Sequence, residues 1–336
     1  MSMEPTSTAR LACPACGSVG APAFEWVSVP AQHAAYAERA SRALAGSQPA
    51  AQDPGPATLA ALADTHPAPT GRYALCRCAA CGLEFADPML APPAAWYGAL
   101  YGALPLYPEE RWEYRQVLQA LGPPDTVLDH GCGSGHFLGL AAGRVRRAIG
   151  IDFSPAGVAA VRQRGLEAHV AAEGTDDGIA LSEPASHVTA FHVLEHLPRP
   201  AALFELARAL GKPSVQLWVA VPSDRRPTRL SGEPDELDAP PHHLTRWTPR
   251  ALQAVGEGAG WQLRALHHEP LPWRQCVWEV GRRSRHVAAL QAASHWPRPL
   301  RRGLARVAAL GQWAFGRHPL DSASGFSMLA RYTLNR

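Results

Sequence analysis

The feature that most constrains the fold of this 336-residue chain is an alternation of short apolar runs with helical segments from residue 122 onward. Such alternation is typical of strand–helix–strand units around a parallel sheet. The predicted strands are TVLDH, RAIGID, EAHVAA, VTAFHVL, VQLWVAV and WQLRALHH, and the predicted helices are HFLGLAAG, PAGVAAVRQRG, PAALFELARAL and TPRALQAVGEGAG. A last run, FSMLARYTL, predicts a seventh strand antiparallel to the sixth. The fold class is therefore α/β, with an open seven-stranded sheet.

A glycine-rich loop follows the first predicted strand. The segment VLDHGCGSGHF places Asp129, Gly131, Gly133 and Gly135 between that strand and a helix. Glycines let the backbone turn sharply and approach a ligand, and the helix start behind them offers amide groups. Asp152 ends the second strand, where a carboxylate can accept hydrogen bonds from both ribose hydroxyls of an adenosine. We therefore expect a nucleoside ligand.

Two CxxCG turns lie near the N-terminus. Four thiolates from two such turns suit a tetrahedral zinc ion, and the odd number of cysteines favours metal over disulfides in a reducing compartment. A redox dithiol is the alternative. A zinc ion with four thiolate ligands has no open position, so we expect it to be structural. Its ligands would be Cys13, Cys16, Cys78 and Cys81.

The sequence divides into three parts. Residues 1–90 would form a zinc-ribbon module with an insertion at about 31–69, whose start AQHAAYAERASRAL predicts a helix. Residues 91–121 would form a proline-broken connector that leads into a helix at about 109–121. Residues 122–336 would form the nucleoside-binding domain, with a helical insert at about 271–320.

The order of the motifs CPxCG, CxxCGLxF, LDxGCGSG, IDFS, HVLEHL and PPHHL resembles bacterial class I methyltransferases that carry an N-terminal zinc ribbon. The group is similar to ubiquinone-biosynthesis O-methyltransferases and to some sugar C-methyltransferases. The resemblance implies a Rossmann-like seven-stranded methyltransferase sheet, S-adenosylmethionine as cofactor and structural zinc. The GxGxG spacing agrees with this better than with the dinucleotide fingerprint GxGxxG.

By that resemblance the methionine end of the cofactor would lie against Asp129 and the glycines, the ribose at Asp152 and the adenine at Phe153. Glu173 would lie near the adenine edge. The full set of implied cofactor residues is Asp129, Gly131, Cys132, Gly133, Gly135, Asp152, Phe153, Glu173 and His192. Two positions depart from the family pattern, because His130 replaces an apolar residue and His187 an aspartate.

The residues that face the transferred methyl group should directly follow the fourth and fifth strands, because ligands of open α/β sheets bind beyond the carboxyl ends of the strands. His192, Glu195 and His196 are spaced i, i+3, i+4, which predicts that they share one helical turn. We expect His192 or His196 to be a general base. The alternatives are a structural role and a zinc, manganese or iron site that replaces the ExxEH motif of the related enzymes.

Further downstream, the loop PPHHLTRWT holds His242 and His243. The resemblance places this loop over the substrate, so His243 is a candidate catalytic residue. Tyr97, Tyr101 and Trp247 would wall the pocket, although packing is the simpler role for any one of them.

The insert at 271–320 is rich in arginine. It would contact an anionic substrate, such as a nucleotide-linked sugar, or make weak peripheral contact with a membrane that carries a lipid-linked acceptor. A solvated helix face is the simpler interpretation, and we prefer it. Its arginines are Arg282, Arg283, Arg285, Arg298, Arg301, Arg302 and Arg306.

The function predicted from these residues is methyl transfer to a small-molecule or glycan-precursor acceptor, at oxygen or carbon and in a single displacement. The alternatives are RNA methylation and a non-catalytic scaffold that binds the cofactor. Residues 11–30 contain no lysine or arginine, and the net charge is only +3, which argues against nucleic acid. No apolar run approaches the ~18 residues of a membrane span, and the start lacks a signal-peptide layout, so a cytoplasmic location is expected.

Overall fold

The fold was analysed from a computed structural model, whose described residues are 11–44, 71–104, 110–171, 179–292, 297–315 and 323–335. The described strands form one sheet of seven strands and one of four. In chain order they are β1 (Ala23–Ser28), β2 (Arg72–Arg77), β3 (Glu84–Asp87), β4 (Thr126–His130), β5 (Arg147–Asp152), β6 (Glu167–Val170), β7 (Ala185–Phe191), β8 (Gly211–Pro222), β9 (Thr245–Arg246), β10 (Trp261–His268) and β11 (Ser327–Leu334).

Helices connect most of these strands. In chain order they are α1 (Val29–Leu44), α2 (Ala94–Ala103), α3 (Trp112–Leu118), α4 (His136–Ala142), α5 (Pro155–Gln163), α6 (Ala201–Leu210), α7 (Pro227–Ser231), α8 (Pro249–Gly258), α9 (Trp273–Arg283), α10 (Arg285–Ala292) and α11 (Arg298–Phe315). Two short 3₁₀ turns span Leu194–His196 and Glu236–Asp238.

The seven-stranded sheet has the order β10-β11-β8-β7-β4-β5-β6. The neighbours of β4, which are β5 and β7, both run parallel to it. Backbone bonds from Glu269 N to Ser327 O and from Asn335 N to Gly260 O, at opposite ends of β10 and β11, show that these two strands are antiparallel. The predicted α/β fold with a seven-stranded sheet is confirmed.

The strand order reverses at β4, because β5 and β6 lie on one side of β4 and β7 and β8 lie on the other. Such a switch point opens a crevice beyond the carboxyl ends of the strands. Every residue of β4 is buried. The core around it includes Val127, Phe137, Phe191 and Trp218, which fixes the sheet beneath the crevice.

Several helices begin where local sequence favours a cap. The Ser154 side chain accepts a hydrogen bond from Gly157 N at 3.2 Å, and Pro155 is the first residue of α5. In the same way Thr248 Oγ1 accepts from Ala251 N at 3.1 Å, before Pro249 of α8. A side-chain acceptor followed by proline satisfies an otherwise unpaired amide and sets the first helical φ.

The four-stranded sheet has the order β1-β2-β3-β9, and none of these four strands was predicted from the sequence. The chain leaves this sheet after Ser28 and re-enters it at Arg72, and these two residues are paired. Val29 N also bonds to Gly71 O at 2.9 Å. The predicted helix at the start of the insertion is α1. Residues 45–70 of the insertion lie outside the described residues.

The connector contains a helix that was not predicted. It is α2, which begins directly after Pro93 and buries Trp96, Tyr97 and Leu100. These side chains form an aromatic cluster with Tyr36 and Ala40 of α1.

The chain divides into two compact units. One comprises the described residues of 1–221, 235–266 and 329–336, and the other those of 222–234 and 267–328. The second unit contains α7 and α9–α11 and has a small core of Val287, Ala305 and Ala309. No described helix has the combination of length and apolar character that a membrane crossing requires.

Candidate active site and cysteine cluster

The four cysteines of the two CxxCG turns converge. Cys13 Sγ lies 3.6 Å from Cys81 Sγ, and Cys16 Sγ lies 3.5 Å from Cys78 Sγ. All four sulfur atoms lie within 4.8 Å of one another. Zinc–sulfur bonds of ~2.3 Å in a tetrahedron require sulfur–sulfur edges of ~3.8 Å. The sulfurs are too far apart for disulfides, whose bond is ~2.05 Å, so the donor set fits a tetrahedral zinc ion.

The two turns are built alike. Gly17 N bonds to Cys13 O and Gly82 N bonds to Cys78 O, both at 2.9 Å. Gly17 has φ +71° and Gly82 has φ +77°, the left-handed conformation that glycine adopts at little cost. Each glycine therefore closes the turn that aims two thiols at one point.

The glycine loop after β4 is held by the end of the neighbouring strand. Gly131 N and Cys132 N donate to Ile151 O at 2.7 and 3.1 Å. Gly131 has φ +74°, and a Cβ there would lie 2.3 Å from Val193 Cγ2. Gly135, with φ +75°, caps α4. Only glycine combines a positive φ with room for the Val193 side chain at position 131, so the glycine pattern of the sequence determines the loop conformation.

Asp152 organises the same loop from the end of β5. Its Oδ2 accepts a hydrogen bond from Gly133 N and its Oδ1 accepts one from Ser154 N, both at 2.8 Å. Burial raises the pKa of Asp152, although the two backbone bonds oppose this. Each carboxylate oxygen has a second lone pair, so Asp152 can still accept ligand hydroxyls. The next residue, Phe153, is 40% exposed and offers an aromatic surface beside that carboxylate.

Asp129 is buried at the end of β4 and accepts a hydrogen bond from Thr189 Oγ1 at 2.7 Å. Burial raises its pKa to about 7, against the lowering effect of Thr189. A cationic group bound nearby would favour the ionised carboxylate. Asp129 therefore suits the ammonium of a bound amino-acid moiety.

The other predicted cofactor residues are placed as follows. Cys132 is buried, which raises the pKa of its thiol. Glu173 lies outside the described residues. His187 accepts a hydrogen bond from Trp218 Nε1 at 3.1 Å and lies 3.5 Å from Asp125. His187, one of the two histidines that depart from the family pattern, is thus paired on both ring nitrogens.

His192 is clamped between two buried carboxylates. Its Nδ1 lies 3.2 Å from Glu195 Oε1, and its Nε2 lies 3.0 Å from Glu113 Oε1. Burial alone would lower the pKa of His192, but the bonds to Glu113 and Glu195 raise it above its usual value. Burial would raise the pKa of Glu113, but His192 holds it below its usual value. The three side chains form a triad in which the two carboxylates favour the charged form of the central imidazole.

The prediction that His192, Glu195 and His196 share one helical turn is wrong. His192 has φ +57°, in the left-handed region, and only Leu194–His196 form a 3₁₀ turn. Glu113 was missed because it comes from α3, far away in sequence. A signal existed, since Glu113 lies four residues before the buried Val117 and therefore on the buried face of its helix.

His196 instead meets the histidines of the PPHHL loop. Its ring centroid lies 4.7 Å from that of His242 and 4.8 Å from that of His243, and the latter two rings stack at 4.5 Å. Burial lowers the pKa of His196 to about 4, helped by His242, and burial also lowers the pKa of His242 well below its usual value. Burial therefore favours the neutral form of His196 and of His242.

Aromatic side chains join this histidine cluster to Phe153. The ring of Tyr97 lies 5.5 Å from that of Phe153 and 5.5 Å from that of His196. Tyr101 lies 5.9 Å from the ring of His242. Trp247 is almost fully buried, so it belongs to the packing of this region.

A family described as a methyltransferase domain matches residues 109–266. Ubiquinone biosynthesis O-methyltransferase of Paraburkholderia phytofirmans is 37% identical over 93 residues, which cover 26% of this chain and 40% of that relative. The same-named enzyme of Hahella chejuensis is 34% identical over 101 residues, or 29% of this chain and 42% of the relative. The match thus spans less than half the length of these relatives.

Among solved structures, a SAM-dependent methyltransferase from Archaeoglobus fulgidus is similar to 65% of this chain and 90% of its own. Its TM-score is 0.42 and its sequence identity 19%.

Proposed function

We propose that the chain contains a class I S-adenosylmethionine-dependent methyltransferase domain, since residues 109–266 match a methyltransferase-domain family, and that it methylates an oxygen or carbon atom of a small-molecule or glycan-precursor acceptor. When bound, S-adenosylmethionine supplies an electrophilic methyl group on a sulfonium. Asp129, the loop 131–135, Asp152 and Phe153 would hold it, because they supply a buried carboxyl, close backbone, a second carboxylate and an exposed aromatic face at one edge of the sheet.

One observation carries the proposal for the acceptor. Tyr97 contacts both Phe153, which follows β5, and His196, which follows β7. An acceptor bound against Tyr97 and His196 would therefore lie next to the cofactor-binding residues. Positioning of the two reactants in this way supplies much of the rate enhancement of a single displacement.

The two candidate bases differ in how they are bonded. Both ring nitrogens of His192 already face carboxylates, so this residue is suited to hold α3 against the turn after β7. His196 donates from Nδ1 to His242 O, which leaves its Nε2 as the nitrogen with the lone pair. We therefore assign acceptor contact to His196 and a structural role to His192.

We also propose that Cys13, Cys16, Cys78 and Cys81 bind a structural zinc ion. Four converging thiols have the spacing that zinc requires and leave no coordination position for water. The zinc would fix the two turns that border the four-stranded sheet.

Calorimetric titration with S-adenosylhomocysteine tests the cofactor site. We expect micromolar binding to the wild type and at least ~10-fold weaker binding to Asp152→Asn, because charge-assisted hydrogen bonds contribute ~1.5–3 kcal/mol each. Asp125→Asn is the matched control. Asp125 also accepts a backbone bond, from Gly122 N at 2.8 Å, but it precedes β4 at the opposite edge of the sheet. Equal affinities of the three proteins would contradict the assignment.

Turnover separates an enzyme from a scaffold. Candidate phenols, catechols and nucleotide-linked sugars would be incubated with labelled S-adenosylmethionine, and label in the acceptor would be measured. Cofactor binding without transfer to any such acceptor would contradict the proposed acceptor class. Transfer to RNA instead would support the alternative activity.

A further inference from the structure

The three histidines that meet beside Tyr97 form a group that the methyltransferase domain does not by itself explain. His196 comes from the turn after β7, and His242 and His243 come from the loop before β9. One ring nitrogen of each lies within 4.8 Å of one of each of the others. Among the residues that the structure describes, only this group and the four cysteines bring three or more such ligands together.

The hydrogen bonds of these rings set their tautomers. Nδ1 of His196 faces His242 O, Nδ1 of His242 lies 2.7 Å from Leu237 O, and Nδ1 of His243 lies 3.1 Å from Asp238 Oδ1. Each acceptor requires a proton on the Nδ1 that it faces, so each lone pair is on Nε2. Metal-binding histidines show this pattern, with the other ring nitrogen donating to a carbonyl or carboxylate.

The surroundings hold the rings in place, because His242 and His243 are buried. Asp238 is itself fixed, because its Oδ2 lies 3.3 Å from Arg246 Nε.

We propose that His196, His242 and His243 bind a divalent transition metal ion, such as zinc, nickel or cobalt, through their Nε2 atoms. Three imidazoles suit these ions and not magnesium, which prefers oxygen ligands. Three protein ligands leave a coordination position open, unlike the four-cysteine cluster. Tyr101 Oη lies 3.4 Å from His242 Nε2, a weak hydrogen bond that the metal would replace.

The proposal extends the proposed function, and it changes the role of His196. A nitrogen that binds a metal cannot also accept a proton, so metal binding and a general base at His196 exclude one another. A metal ion with an open position beside Tyr97 would bind an acceptor oxygen and lower the pKa of its hydroxyl. The proposed ligands differ from the metal site predicted from the sequence, which consisted of His192, Glu195 and His196. In the structure the His192 and Glu195 side chains are hydrogen-bonded to each other.

Cobalt binding tests the site without requiring activity. The purified protein is first treated with a mild chelator until elemental analysis shows one zinc per chain, and Co²⁺ is then titrated by calorimetry and visible absorption. We expect one further equivalent of Co²⁺ to bind without a thiolate-to-cobalt charge-transfer band. No binding, or a thiolate band, would overturn the proposal.

Matched variants locate the site. His242→Asn and His243→Asn keep an amide donor near the position of Nδ1 but remove Nε2, and each should weaken Co²⁺ binding at least ~10-fold. His267→Asn replaces an exposed histidine and should bind as the wild type does. If the buried variants fail to fold, Asp238→Asn keeps all three imidazoles and should still weaken binding ~10-fold. Wild-type affinity in the folded cluster variants would refute the site, whereas cobalt binding without methyl transfer would contradict only the proposed function.

Discussion

Replacement of Glu113 by glutamine tests the ion triad around His192. The variant keeps the size of the side chain but loses its charge, so His192 retains only Glu195 as an anionic partner. A charge-assisted hydrogen bond contributes ~1.5–3 kcal/mol. Removal of one partner from a buried pair costs up to ~3–5 kcal/mol when the other charge is left alone. Because Glu195 remains, we expect Glu113→Gln to lower the free energy of unfolding by ~2–3 kcal/mol at pH 6.

The pH dependence follows from the directions of the two pKa shifts. The folded pKa of His192 is raised above 6.5, so its contribution is fully present below that value and is lost as pH rises through the folded pKa. The folded pKa of Glu113 is lowered below 4.5, so its contribution is present above 4.5 and is lost as pH falls through the folded pKa. The triad therefore stabilises the fold most between pH 4.5 and 6.5, the ordinary pKa values of the two groups, and the cost of Glu113→Gln should decrease toward pH 9.

Urea unfolding at pH 6 and pH 9, followed by tryptophan fluorescence, measures this cost. Glu205→Gln is the control, because Glu205 pairs with Arg199 in a largely exposed bridge whose loss should cost below ~1 kcal/mol. The pKa of His192 is read from its ring proton by NMR, assigned through His192→Gln, and should fall by ~1–2 in Glu113→Gln. A variant as stable as the control at pH 6, or an unchanged pKa of His192, would refute the charged triad.

Two further substitutions test the cysteine cluster and the glycine loop. Cys78→Ser should remove the tightly bound zinc and lower the unfolding temperature. The control Cys276→Ser lies outside the cluster and should keep the zinc and the wild-type unfolding temperature. Zinc is measured by elemental analysis and the unfolding temperature by a thermal scan, and equal zinc contents of the two variants would contradict the assignment. Gly131→Ala and Gly165→Ala both place a Cβ at φ +74°, but only the Cβ at position 131 meets a neighbour, Val193. Gly165→Ala should lower the free energy of unfolding in urea by ~1–2 kcal/mol. Gly131→Ala should lower it by a further ~1–3 kcal/mol, because of the contact with Val193. Equal costs would show that Val193 does not pack against the loop as described.

The large sheet was predictable because burial of its strands on both faces leaves continuous apolar runs. The run TVLDH, whose residues are all buried, is β4 residue for residue. The predicted strand WQLRALHH also matches β10, which lies at the edge of the sheet and is only partly buried. The helix α2 was not predicted, because prolines precede it and its glycines and alanines give little periodicity. The two-residue strand β9 pairs with β3, with Glu84 opposite Arg246, and no local pattern signals a pairing over that sequence distance.

The candidate site divides in the same way. Parallel topology alone predicts that residues at the carboxyl ends of β4, β5 and β7 lie at one edge. Asp129 and Asp152 lie at the ends of β4 and β5, and His192 directly follows β7. The partners of the histidines were not predictable from spacing. Glu113 contacts His192 from a separate helix. The PPHHL loop contacts His196, but its irregular backbone has no periodic pattern from which that contact could be predicted.

The short segment HVLEH thus places two histidines in opposite electrostatic environments. His192 lies between carboxylates that favour its charged form, and His196 lies among imidazoles that favour its neutral form. Because the pKa of His196 is about 4, this residue keeps a lone pair for a metal or an acceptor throughout the neutral range. A loss of activity as the pH rises through the raised pKa of His192 would then reflect that residue and the packing of α3, while a loss near pH 4 would reflect His196. The same motif therefore supplies a charged structural residue and a neutral ligand, and the difference arises from the segments that pack against it.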